Sequence, residues 1–299
     1  MSAELPVLPL TEWEPTKRTL HLWSQIVGKI RMASTAPRNH WWNVTLYVDV
    51  RGLTTRRMHA ANGVTFEIRF DFVDHRLVVE TNGGAVESFA LEDGLSVAAF
   101  DEQLHATLRG LGIDVAIRET PFGVPMTTPF PDDREHASYD RDAVERFWRI
   151  LDWTDGVFEE FSGWYCGKTS PVHFFWGSFD MAVTRFSGRR APERPGADKI
   201  TRDAYSHEVI SAGWWPGGGD FSSPAFYAYA APEPTGFRES PVKPAKAFYD
   251  AKLSEFLLSY DDVRSQADPK TSVLDFLQST YDAGATLGNW DRSALEKQI

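Results

Sequence analysis

Four side chains able to move protons or hold a metal ion fall close together in the second half of the chain. His173 and Asp180 lie in SPVHFFWGSFDMAVTR, and His207 and Glu208 open SHEVISAGWWPG. Two carboxyl groups on neighbouring strands beside a tryptophan supply a proton donor and an acceptor on an apolar platform, which suits acid–base catalysis or ligand binding. If Val172 to Thr184 is one strand, Trp176, Ser178, Asp180 and Thr184 share the face opposite Phe175, Phe179, Met181 and Val183. His173, His207 and Glu208 are also of the types that bind a zinc-like ion with an open position, although their spacing does not demand one. Plainer readings stand beside these. The histidines could be core residues bonded to backbone, and Asp180 and Glu208 the wet side of an antiparallel sheet. Arg185 at the strand's end could clamp an anion or sit on a turn. Trp214 and Trp215, beside Gly217, Gly218 and Gly219, could wall a flat ligand or pack beneath a loop.

The familiar catalytic signatures are missing. There is no Gly-rich phosphate loop before a helix, no HExxH, no GxSxG and no CxxC, so no cofactor follows from a motif. The one cysteine, Cys166, excludes an internal disulfide and a cysteine metal cluster; between Trp164-Tyr165 and Gly167 it reads as a small packed residue rather than a nucleophile. A net charge of -11 argues against nucleic acid or an anionic membrane as partner. The first residues lack the basic start and apolar core of a secretory signal, and no window approaches a membrane span. With a lone cysteine, a cytoplasmic setting is expected. The partner left open is a small polar ligand; oligomeric state is not legible.

The elements that must hold these residues follow from periodicity. Leu20, Trp23, Ile26, Val27 and Ile30 recur at helical spacing within Glu14 to Arg31. Strands are predicted over His40 to Val50, Val64 to Phe72, Arg76 to Thr81 and Val86 to Leu91, then a helix from a Ser96 cap to Gly112. Ile113 to Arg118 alternates again, and Thr120 to Asp133 is a Pro-rich connector. Beyond it Asp140 caps a helix towards Tyr165. Strands are expected at Val172 to Thr184, Ser206 to Gly213, Pro224 to Ala231 and Leu253 to Ser259, then a helix from Ser272 to Leu287. Ser170-Pro171 could instead open a helix ending at Gly188, which would put His173 and Asp180 on one face.

The two halves echo one another. Setting His40 on His173 aligns two stretches of proline, histidine, aromatic pair and alternating apolar residues, and Ser96, Val97, Phe100, Leu111 and Gly112 match Ser272, Val273, Phe276, Leu287 and Gly288. The fold expected is α+β: duplicated units of helix, four antiparallel strands and helix, with helices on one face. The units are 1–119 and 141–299, joined by a connector over 120–140. Long loops in the second unit (Ser187 to Asp203, Trp214 to Ser223, Pro232 to Pro244) place a site there.

HFFWGSFDMAVTRFSGR, SHEVISAGWWPG and FYAYAAPEP together resemble a bacterial protein family known as a domain of unknown function, over most of the chain. That resemblance implies no activity or cofactor. The residues support a cytoplasmic enzyme acting on a small polar molecule by carboxylate and histidine acid–base or metal-assisted chemistry. Asp180, Glu208, His173 and His207 would do the chemistry, with Trp176, Arg185, Trp214 and Trp215 holding the ligand. A non-catalytic binding protein, or an interaction protein without a pocket, is the alternative.

Overall fold

A computed structural model describes residues 4–218 and 221–297. Helix α1 (Leu10–Ala33) buries Leu20, Trp23, Ile26, Val27 and Ile30 as their spacing requires. It is followed by a short 3-10 turn at Asn39–Trp41 and strands β1 (Tyr47–Asp49), β2 (Gly52–Thr54), β3 (Met58–His59), β4 (Thr65–Asp71), β5 (Arg76–Thr81) and β6 (Val86–Ala90). These form one antiparallel sheet in the order β1-β2-β4-β5-β6, with β3 also on β4. Helix α2 (Val97–Gly110) starts where the Ser96 hydroxyl accepts from the Ala99 amide, and ends before Gly112, whose φ of +73° few other residues adopt without strain. Ile113 to Arg118 is not a strand. Its chain and the connector lie along α1, where Lys29 donates to the Arg118 carbonyl at 2.9 Å and Gln25 bonds both backbone groups of Phe122.

The second half runs α3 (Arg141–Gly163), β7 (His173–Phe175), β8 (Asp180–Arg190), α4 (Lys199–Ala204), β9 (His207–Trp215), β10 (Ala225–Ala231), β11 (Phe248–Asp250), β12 (Glu255–Ser259), α5 (Tyr260–Arg264), α6 (Pro269–Leu287) and α7 (Arg292–Leu295). Its strands make an antiparallel sheet in the order β7-β8-β9-β10-β12-β11. Leu46 and Phe174 exchange backbone hydrogen bonds of 2.9 and 2.8 Å, so the edges of the two sheets are joined just before β1 and at β7. Helices α3 and α6 pack on one face of the second sheet, against Met181, Val183, Trp214 and Phe226. The fold is therefore α+β.

The duplication is not confirmed. Both halves run helix, antiparallel sheet, helix, but β12 inserts between β10 and β11, an order the first sheet lacks. His40 sits in the 3-10 turn while His173 sits in a strand, and Ser96 caps its helix whereas Ser272 lies inside α6, which Asp268 caps.

Val172 to Thr184 is a hairpin rather than one strand or a helix. The chain turns at Trp176 to Phe179, the Phe179 amide bonds the Phe175 carbonyl at 2.8 Å, and Phe179 takes a φ of +59°. That backbone turns the ring inward, to stack on Phe147 with centroids 5.4 Å apart and meet Phe174 edge-on. The turn resets the alternation. Phe175 pairs with Asp180 across the hairpin and shares its face, while Trp176, predicted on the polar side, is buried. Truncating Phe179 to alanine should lower unfolding free energy by about 3–5 kcal/mol in urea titration, as for a core aromatic; a loss below about 1 kcal/mol would mean its ring is not part of the core.

Candidate functional site

The face of the second sheet away from α3 and α6 carries Asp180, Ala182, Thr184 and Phe186 from β8, Val209 and Ser211 from β9, and Tyr227 and Tyr229 from β10. Pairing puts Ala182, Gly213 and Tyr227 in one row, and Thr184, Ser211 and Tyr229 in the next. A Cβ on Gly213 would overlap the Tyr227 ring, so the missing side chain is what lets the tyrosine lie flat across β9 towards β8. Its hydroxyl there donates to Asp180, whose other oxygen accepts from Ser178. In the next row Thr184 and Ser211 hydroxyls are 2.8 Å apart, and Tyr229 meets Tyr205 at 2.9 Å. The 3-10 turn with Trp42, together with α4, roofs a cavity of about 280 Å³ over this face.

Asp180 is held above the usual carboxylate range, first by burial; the two hydroxyl bonds work against that shift without reversing it. Among the described residues no cationic side chain pairs with it. Burial likewise pushes the Tyr227 and Tyr229 phenols well up, so both are neutral donors. Glu255, at the start of β12, is raised to about 7, first by burial and then by the neighbouring carboxyl groups of Asp180 and Asp250. His40 is lowered by burial and then by Lys168. The Lys168 ammonium donates to its Nε2 at 2.6 Å, which leaves the proton on Nδ1 to donate to the Ala204 carbonyl at 3.1 Å. Both imidazole nitrogens are thus committed, and His40 serves as wall. Consecutive left-handed residues, His40 at φ 56° and Trp41 at 62°, carry the roof.

The other predicted residues lie elsewhere. Glu208 points to the helix side of β9, where it accepts from Arg189 and Ser187 in a surface network. His207 bonds Ser206 at the outer end of β9, 5.7 Å from the His40 ring. His173 is a core histidine: it is 3.2 Å from the Thr45 hydroxyl, and burial, then Arg56 and Arg31, lower its pKa to about 3. Arg185 is no anion clamp. It is buried on the helix side, bonded to the Phe161 carbonyl and enclosed by the rings of Phe161, Tyr165 and Tyr281, because alternation along β8 turns it away from Asp180. Trp214 also faces the helices, packed on Phe147 and Tyr260, and Trp215 stacks on Phe221, so neither roofs the cavity. Trp176 donates to the Val44 carbonyl at 2.8 Å outside the cavity proper. Cys166 is exposed, not packed. Among the described residues no three histidine, cysteine, aspartate or glutamate side chains are grouped as metal ligands, and His173, His207 and Glu208 point apart.

Asp180 is the predicted residue that the structure places in the cavity. Missing from the prediction were Tyr205, Tyr227, Tyr229, Ser211 and the roof of His40 to Trp42. The alternation in FYAYAA could have shown that both tyrosines share a face; that Gly213 lies under one of them depends on register, which a single strand does not reveal.

The fold and site define an α+β protein with a buried, unpaired carboxyl group at a hydroxyl-lined cavity. The chain belongs to a family described as a family of unknown function (DUF5996), whose model matches residues 5–297. No curated protein and no solved structure matches it. No helix of the described residues is long and apolar enough to cross a membrane.

Gly213→Ala should displace the Tyr227 ring and lower the melting temperature, whereas Gly156→Ala in α3, where an added Cβ meets nothing within 4 Å, serves as control; an unchanged melting temperature for Gly213→Ala would contradict the placement of Tyr227. Glu255 tests the electrostatics. An acid whose pKa rises on folding contributes stability that is present below its unfolded value and is lost as pH rises through the folded value of about 7. Glu255→Gln should therefore gain stability relative to the wild type between about pH 5 and about pH 8. A pH-independent difference in melting temperature would contradict the shift.

Proposed function

We propose that the cavity beside Asp180 is the active site of an enzyme that acts on a small polar molecule by acid–base chemistry, with Asp180 as proton donor. The observation that carries this reading is a buried carboxyl group without a cation at the wall of a cavity. Burial favours the protonated form of such a group, and a neutral acid can protonate a bound substrate where an ionised one cannot. Tyr227 and Ser178 fix the carboxyl group in place. Tyr205, Thr184 and Ser211 are hydroxyl groups able to orient a polar ligand by hydrogen bonds. The left-handed backbone at His40 and Trp41, and at Phe179 next to Asp180, supports the assignment, since strain of this kind collects at functional sites. The expected setting remains the cytoplasm.

A non-catalytic binding protein using the same cavity is the second reading, favoured by how many hydroxyl groups line the pocket against a single acid. The two separate on one variant. A library of small polar metabolites is screened by thermal shift, and each hit is followed for turnover. Asp180→Asn keeps the shape of the side chain and a hydrogen-bond donor but cannot give up a proton. The enzyme reading requires turnover to fall by about a hundredfold or more while the melting temperature stays within a few degrees. Retained turnover in Asp180→Asn would refute it; binding without turnover in the wild type would favour the binding protein.

A further inference from the structure

A second, larger chamber adjoins the cavity. It has a volume of about 510 Å³ and shares Trp41, Phe175, Ser178 and Ile200 with the first as common wall. Its surface is largely apolar, formed by Met32, Val44, Phe122 and Trp176 beyond the shared residues. The aromatic walls are fixed. The Trp176 indole rests on the backbone of α1, where a Cβ on Gly28 would overlap it, and its N–H is tied to the Val44 carbonyl. Phe122 meets Trp176 edge-on with centroids 6.4 Å apart, and its backbone is held by Gln25.

Two cations also line this chamber, Lys29 and Arg118. The lysine is 4% exposed, and its ammonium donates to the carbonyls of Arg118 and Thr120. Arg118 donates to the Thr120 hydroxyl. Among the described residues no carboxylate pairs with either, in a chain of net charge -11 where acidic partners are abundant. Burying an ammonium group without a counterion is costly, and carbonyl acceptors offset only part of that cost. Burial and the neighbouring Arg118 accordingly lower the Lys29 pKa to about 8. A ligand anion would complete the set.

We infer that the two chambers form one site for an organic acid with a flat apolar body, its acid group at Lys29 and Arg118, its body between Trp41, Phe122 and Trp176, and a polar end at Asp180. This rests on the Asp180 cavity being the reactive end. Aromatic walls select a flat body, since ring faces and edges stack on it. The unpaired cations select the anion over the neutral molecule. The hydroxyl groups around Asp180 take the far polar group.

The test uses 2-naphthylacetate and its uncharged amide as probes, with binding followed by calorimetry on the full chain and on three variants. Met32→Trp fills the apolar chamber from a partly exposed position, Lys29→Met removes a cation while keeping its stem, and Asp180→Asn alters the polar end. The wild type should bind the acid at least about tenfold more tightly than the amide. Met32→Trp should abolish binding, and Lys29→Met should erase the preference for the acid. If Lys29→Met does not fold, the acid and amide on the wild type still decide the point. Equal affinity for the two probes, no binding to the wild type at millimolar probe, or full binding to Met32→Trp would overturn the inference. Affinity that responds to Met32 and Lys29 while Asp180→Asn retains full turnover on its own substrate would uphold the chamber and refute the catalytic reading instead.

Discussion

A carboxyl group shut away from water with no cation beside it cannot remain ionised cheaply, because several kcal/mol of lost hydration have nothing to offset them. Asp180 is such a group, and much of the second half of the chain is arranged around it. The hairpin between β7 and β8 places it at a strand start. Ser178 and Tyr227 supply its only side-chain hydrogen bonds among the described residues, and Gly213 and Ala182 keep the row beneath Tyr227 free of bulk. Helices α3 and α6 pack on the opposite face, and the cavity beside Asp180 opens on this one. The two hydroxyl bonds favour the ionised form but do not outweigh burial, which is the balance a proton donor needs.

The roof has a different physical character from the floor. The floor is strand backbone in full ladders, whereas the roof combines a 3-10 turn with two left-handed residues and a six-residue helix, tied by the His40 bond to Ala204. Short elements held by few bonds open more readily than a sheet. Ligand entry is therefore easier through the roof than through the floor. Lys168 stabilises the closed arrangement twice over, through its bond to His40 and through its approach to the faces of Trp42 and Phe186.

Helical periodicity and capping were legible. The helices at α1, α2 and α3 stand where Trp23, Ser96 and Asp140 place them, since spacing and caps are local properties. Strand alternation from Val64 to Leu91 held for the same reason. The reading failed at Trp176 to Phe179, because the left-handed position of the turn falls on Phe179 and not on Gly177, the residue whose type would announce it. The error is confined to Phe175 and Trp176, since Asp180 and Thr184 still lie opposite Met181 and Val183 once the strand resumes. Asp180 was recognisable as a carboxyl group near aromatics. Arg185 was misassigned although alternation along β8 already turns it away from Asp180, whereas the face of Trp214 depends on its pairing with Met181, which the strand alone does not reveal. His40 reaches Ala204 across more than half the chain, a contact no local pattern encodes.

The protonation state of Asp180 tests the account most directly. Infrared difference spectroscopy between the wild type and Asp180→Asn, titrated in deuterated buffer, isolates the carbonyl stretch of a single protonated carboxyl group. At about pH 6, well above the usual aspartate value, the account requires that band to be present in the wild type and missing from the variant. A band that has already vanished by about pH 4 would mean that Asp180 ionises as an ordinary carboxylate, and the proton donor assigned to this cavity would not exist.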